Sequence, residues 1–315
     1  MRNTINILLA LPLGLALLAC KPTPEPVDPE PPVAPTSKEL VEKIDDTTIT
    51  LPIAEDPSIT YAAWFRVGSA NDPEGKEGLA YLTAQMLAEG GTQAHTWPEI
   101  VELLYPMAAG WSVSVDREMT VFSGRAHVDT AADFQKLLIA QWTTPAFDAK
   151  DFERLRSETL EYLKTTLRYA SDEDLGKAGL EWFVFEGSNY AHPVVGTVAG
   201  LEAITLADVE EFYRTQYTAN NVVFAIGGDF EAKDQAVLEA TRGMLPEGAP
   251  AKPLVREPEP ITGKQVLLIH KPGATRRSRS ATRCRSAGGE KDFYALWLAN
   301  SWLGEHAIRR ATCFR

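Results

Sequence analysis

Apolar residues recur along the chain with two periods, and the periods divide it into strands and helices. Strands are predicted at 48–53, 58–67, 111–115, 119–127 and 222–227, and helices at 77–89, 97–105, 130–140, 148–169, 174–185, 205–216 and 232–244. In the segment 148–169, Phe152, Leu155, Thr159, Leu160, Leu163 and Leu167 keep one apolar stripe. In 205–216 the buried stripe is Val209, Phe212 and Tyr213, continued by Tyr217, and Thr205 can cap that helix with Asp208 at the third position. Val222 to Ile226 is a short apolar strand that Gly227 and Gly228 bring to an end. Helices grouped against one face of a mostly antiparallel sheet make an α+β domain, expected over residues 45–245.

The N-terminal flank does not follow this pattern. Arg2 precedes an apolar run from Ile5 to Ala19 that Pro12 and Gly14 interrupt. A membrane span needs about 20 apolar residues, so a transmembrane anchor is the weaker reading. The run ends in Leu17, Leu18, Ala19 and Cys20, which resembles a bacterial lipobox, in which the cysteine is diacylated and becomes the first mature residue. Residues 1–19 then read as a lipoprotein signal peptide and 20–44 as a lipidated Cys20 with a tether. Residues 21–37 hold seven prolines and no apolar period, so they read as extended polyproline. At about 3.1 Å per residue, this tether could hold the domain some 50 Å from a membrane. Lys21 and Pro22 lack the Asp that, by the same resemblance, retains lipoproteins at the inner membrane. The expected location is the cell envelope, on an outer membrane and facing the periplasm.

Composition narrows the partners. With 315 residues, 44% of them hydrophobic, the chain can bury one domain's core and begin a second. A net charge of -12 argues against nucleic-acid binding and against a polybasic membrane patch. Three cysteines occur, and with Cys20 assigned to lipid, Cys284 and Cys313 could pair in an oxidising compartment.

The candidate chemistry lies between Val67 and Thr92, VGSANDPEGKEGLAYLTAQMLAEGGT, a strand end, a glycine-rich turn and a helix. It resembles the signature of the insulinase/pitrilysin zinc metallopeptidases, the inverzincins, whose helix carries H-x-x-E-H after a G-S-x-x-x-P-x-G-x-x-G-L-A lead-in. Gly68, Ser69, Pro73, Gly75, Gly78, Leu79 and Ala80 match the lead-in, and Met86, Leu87, Gly90 and Thr92 fit the positions after the motif. The five motif positions read Tyr81, Leu82, Thr83, Ala84 and Gln85. A catalytic zinc wants three protein ligands, a water, and a base to take the water's proton. Tyr81 would have to lose a proton with a reference pKa of about 10, Gln85 offers a neutral amide, and Ala84 offers nothing. By resemblance the third ligand is a glutamate on a second helix, and the register leads to Glu161, whose other reading is an ordinary solvated helix charge.

The likeness continues through Tyr190 to Thr197, similar to the family's H-P-x-x-x-G-T segment. It runs on through Ile204 to Phe230, similar to its T-x-x-D-x-x-x-F-Y-x-x-x-Y-x-x-x-N helix and the strand ending in G-D. It implies a metallopeptidase-like lobe over 45–245, a linker at 246–262 and the truncated start of a second lobe at 263–315. It also implies a non-catalytic homologue with no cofactor of its own, where active relatives hold zinc. The implied partners are an active zinc peptidase subunit of the same family and unfolded peptides, with the membrane reached through lipid on Cys20. The alternatives are a zinc-dependent peptidase with an atypical site, a lipid-anchored binding protein, or a decayed gene product.

Other chemistries find less support. His95, His127, His192, His270 and His306 form no i, i+4 pair, so a displaced zinc site would need separate loops to converge. No G-x-S-x-G elbow and no phosphate-cradling glycine loop occur. From Thr275 to Ser286 the chain carries five arginines and no acid, and it ends in AIRRATCFR. Two readings stand for these stretches: short out-of-frame translations, or a genuine basic loop and a natural end.

Overall fold

The structure, a computed structural model, describes residues 43–44, 48–248 and scattered positions between 258 and 301. The signal peptide, the tether up to residue 42 with Cys20, both later cysteines, His306 and most of the segment after 248 lie outside the described residues. Six strands form one sheet: β1 (Lys43–Ile44), β2 (Thr48–Pro52), β3 (Ser58–Phe65), β4 (Gly110–Val115), β5 (Thr120–His127) and β6 (Val222–Gly228). Their spatial order is β1-β2-β6-β3-β5-β4. All neighbours are antiparallel except β2 and β6, which run parallel with Thr48 opposite Phe224. A parallel pair needs a long crossover, and most of the helices lie in the chain between those two strands.

Alternation decides which face is buried. Ile59, Tyr61, Ala63 and Phe65 of β3 point into the core with Phe122 of β5 and Phe224 and Ile226 of β6. The intervening Thr60 and Trp64 are exposed, so the described helices cover one face, as the α+β expectation requires. Those helices are α1 (Leu79–Glu89), α2 (Trp97–Leu104), α3 (Ala131–Thr143), α4 (Ala149–Glu161), α5 (Asp172–Val184), α6 (Val198–Ala203), α7 (Leu206–Gln216) and α8 (Ala232–Thr241). Helix α1 packs on β4, α4 and α7, while α3 packs on β3 and β5. Between helices and sheet, Tyr217 meets Phe65 at 4.8 Å and Trp142 stacks on Phe224 at 5.8 Å. Thr205 caps α7 as expected, accepting from the Asp208 amide at 3.3 Å while Asp208 accepts from the Thr205 amide at 2.9 Å.

Four elements differ from the sequence reading, the first being β1, Lys43–Ile44, which pairs with β2 where the tether was expected to run to residue 44. The helix expected over 148–169 is α-helical only to Glu161, and Tyr162–Ala170 continues as a π-helix in which Leu163 is buried. Helix α6 was not expected. At six residues it is too short to show a period, and it is held by Thr197, whose hydroxyl accepts from the Gly200 amide at 2.9 Å. Residues 265–270, within the expected start of a second lobe, form no strand, and Leu268 is 86% exposed. No described strand lies beside them to accept their backbone bonds.

Candidate functional site

The lead-in to α1 is held by a buried carboxylate. Asp72 Oδ2 accepts from the Gly78 amide and Oδ1 from the Ala80 amide, both at 2.7 Å, which satisfies donors that a helix N-terminus otherwise leaves open. Its side chain has no exposure to solvent. Burial pushes its pKa up to about 8, against the pull of the two amide bonds, and the nearby Glu77 adds to the rise. His192 brings Nε2 to 3.9 Å from Asp72 Oδ2, and its Nδ1 lies 3.0 Å from the Pro193 carbonyl, which only accepts, so Nδ1 carries a proton.

The segment from Tyr190 to Thr197 closes over this turn backbone to backbone. The Thr197 amide donates to the Glu77 carbonyl at 3.2 Å. Gly196 sits at φ +92, and a Cβ there would lie 2.3 Å from the Glu77 oxygen. Gly78 precedes α1 at φ +109, with the Val195 carbonyl 2.9 Å from where its Cβ would be. These glycines are required by close approach as well as by φ. His192 is thus part of the packing at the α1 N-terminus, and His127 is paired at 3.2 Å with Asp129 on another edge.

Helix α1 is buried on every side but one. Leu79, Ala80, Leu82, Thr83, Ala84, Met86, Leu87 and Ala88 are buried, whereas Tyr81, Gln85 and Glu89 form a half-buried stripe at i, i+4 spacing. Ala84, at the position of the family's base, is wholly enclosed. Burial raises the pKa of the Tyr81 phenol, and the Gln85 side chain, hydrogen-bonded to it, opposes the rise without cancelling it. The direction is away from the phenolate that a metal would need.

Helix α4 presents a second stripe to the first. Arg154, half-buried, reaches back to α1, where Nη2 donates to the Glu89 carbonyl at 2.6 Å and Nη1 lies 3.8 Å from the Glu89 carboxylate. Glu158, Glu161 and Tyr162 follow on the same side of α4 and are exposed. Glu161 therefore lies on the helix packed against α1, at the end of its α-helical part. Among the described residues, no group of three or more His, Cys, Asp or Glu is placed to hold a metal ion. Zinc does not fit a set made of a phenol, an alanine, an amide and one carboxylate. Asp72 escaped the sequence reading, and the available signal was an acid directly before Pro73 in a turn that leads into a helix.

Among the described residues no helix is long and apolar enough to cross a membrane. A family model described as Insulinase (Peptidase family M16) matches residues 49–173, and one described as Peptidase M16 inactive domain matches residues 203–312. An uncharacterized zinc protease of Streptomyces coelicolor is 22% identical over 224 residues, 70% of this chain and 47% of its own. A match to an enolase of Mycobacterium leprae is 32% identical but spans 120 residues, 38% of this chain and 21% of the enolase, and carries no activity here. Of solved structures, the peptidase M16 inactive domain from Pseudomonas fluorescens superposes with a TM-score of 0.61 at 26% identity, covering 67% of this chain and 51% of that one. The first half of the periplasmic protease PqqL from Escherichia coli superposes with a TM-score of 0.57 at 15% identity, covering 65% and 45%. The chain thus spans about half the length of the zinc protease and of these two structures.

Proposed function

From the insulinase/pitrilysin family, which two matched family models and a zinc protease relative support for this chain, we propose that it is a non-catalytic homologue that binds unfolded peptide beside a catalytic partner. One observation carries the reading: the frame around α1 is kept while the ligand positions hold Tyr81, Ala84 and Gln85. Asp72, Gly78 and Gly196 maintain a helix N-terminus whose chemistry needs a base and two imidazoles, and none of these is there.

What such a lobe retains is a surface for extended chain. Strand β4 ends the sheet and pairs only with β5 among the described residues, so its other edge can accept a peptide as an added strand. That edge lies next to α1, since the Trp111 indole of β4 donates to the Ala88 carbonyl at 2.8 Å. The partner in this reading is a peptidase-family lobe with an intact H-x-x-E-H, and likeness to one half of a peptidase chain is consistent with a lobe that works in a pair.

Two outcomes are expected. The full chain, purified and dialysed, retains no stoichiometric zinc and does not cleave unfolded peptides; metal analysis and a chelator-controlled peptidase assay check this, and chelator-sensitive cleavage would end the reading. In contrast, Tyr81→His, Ala84→Glu and Gln85→His combined are expected to raise zinc affinity, because Glu161 lies on the facing helix. Attachment is the second outcome. Cys20→Ser is expected to leave an uncleaved or soluble precursor, because that thiol is both the acylation site and the residue after the cut. Unchanged fractionation with the outer membrane would remove the lipobox from the account.

A further inference from the structure

A cavity of about 270 Å³ lies between the turn before α1 and helix α7, and its lining includes none of residues 81–85. Sites for whole small molecules run from about 300 to 1,000 Å³, so this one suits a single side chain better than a cofactor. Leu79, the first residue of α1, and Phe212 of α7 form its apolar wall. Glu74 and Glu211 line it on the side towards solvent, where both are exposed.

Gln216, the last residue of α7, lines the same cavity and is only 8% exposed. Its Oε1 is enclosed and accepts no hydrogen bond. Other enclosed side-chain atoms lack a partner too, Ser69 Oγ and Tyr217 Oη among them, but those residues lie outside the lining. A buried acceptor left open costs the fold free energy, which a donor entering the cavity would offset. The amide can turn about its last bond, and half a turn exchanges its oxygen and nitrogen.

The neighbouring groups decide which donor fits. Three carboxylates line the cavity, Glu74, Asp208 and Glu211, against one ammonium, that of Lys76, which donates to Asp208. Arg214 holds Glu211 at 2.6 Å from outside the lining, so the balance is still negative. The Thr215 hydroxyl donates its proton to the Glu211 carbonyl at 2.8 Å, which leaves its oxygen only to accept. This surroundings of acceptors and negative charge repels an anion. A guanidinium has five N–H donors, no acceptor and a methylene stem, so it meets the amide oxygen, the carboxylates and the apolar wall together.

We propose that this cavity binds a guanidinium, the side chain of an arginine, which donates to Gln216 Oε1 and to the carboxylates while its stem packs on Leu79 and Phe212. The site goes beyond the peptide-binding reading and does not need it, because a single capped arginine is small enough to enter.

The test is titration of the full chain with N-acetylarginine amide, with its neutral counterpart N-acetylcitrulline amide, and with an unfolded peptide carrying one arginine. The capped arginine is expected to bind about tenfold more tightly than the capped citrulline at low salt, and the gap is expected to narrow as salt screens the carboxylates. Glu74→Gln is expected to narrow the gap as well. Gln216→Met is expected to weaken both capped ligands about tenfold, since each donates an N–H to the amide oxygen. The same variant is expected to melt no lower than the parent, because it removes an enclosed acceptor that has no partner in the fold. A purely structural glutamine would give the opposite result. Equal affinities for arginine and citrulline, unchanged binding in Gln216→Met, or a lower melting temperature for that variant would overturn the site. Tighter binding of the peptide than of the capped arginine identifies the ligand as a chain, and equal binding identifies it as a free guanidinium compound; the site stands in both. Binding of the capped arginine without the peptide would leave the site in place and end the peptide-binding reading.

Discussion

Gly196→Val is expected to destabilise the lobe by about 4 kcal/mol, the sum of a strained left-handed backbone and an overpacked contact. At φ +92 a branched side chain is strained in any surroundings, and here an added Cβ also lies 2.3 Å from the Glu77 carbonyl and 2.5 Å from Gly78 Cα. Both obstacles are backbone and cannot swing aside. Gly75 supplies the control. It too has a positive φ, +79, but nothing lies within 4 Å of its Cβ position, so Gly75→Ala carries only the backbone term, about 1 kcal/mol. Thermal unfolding should separate the two variants by on the order of 10 °C for a domain of this size. Coincident melting curves would mean that close approach of the 190–197 segment is not what fastens the α1 N-terminus.

The second expected result is a pH dependence that one carboxyl group creates. Burial raises the folded-state pKa of Asp72 to about 8, well above its unfolded value near 3.8. The fold therefore favours the neutral acid. The stabilisation from this group is fully present below about pH 4 and is lost as pH rises towards 8. Asp208 works in the opposite direction, because hydrogen bonds from Lys76 and Thr205 lower its pKa despite burial, so its contribution is present above the unfolded value and lost in acid. The two windows do not overlap. Asp72→Asn keeps the shape and removes the titration, at a cost of about 1–3 kcal/mol for one of the two amide bonds. Relative to that variant, the parent is expected to lose a few kcal/mol between pH 4 and 8. Glu77 and His192, which lie close by, are common to both proteins. Denaturant titrations across that range measure the difference, and parallel curves would show that Asp72 is charged throughout.

Strand positions in the lobe and the residue types at 81, 84 and 85 were both legible in the sequence, because each depends on residue type at short spacing. Alternation placed β3 at 58–67 against the observed Ser58–Phe65, and β6 at 222–227 against Val222–Gly228. No fold can turn Ala84 into a base, so that absence needed no coordinates. Register singled out Glu161, and the structure places it at the end of the helix that packs on α1. Only the tertiary structure decided what reaches across long loops. The sequence has no period that sends β6 between β2 and β3, parallel to one and antiparallel to the other. Likewise, nothing in the turn around Asp72 announces two helix-start amides, since a loop residue's partners depend on how the chain closes and not on its neighbours. The facing stripes of Tyr81, Gln85 and Glu89 on α1 and of Arg154, Glu158 and Tyr162 on α4 are each readable as helix faces. That they meet, Arg154 donating to the Glu89 carbonyl, is a product of packing, because burial of the remaining sides of α1 leaves that stripe alone open to solvent.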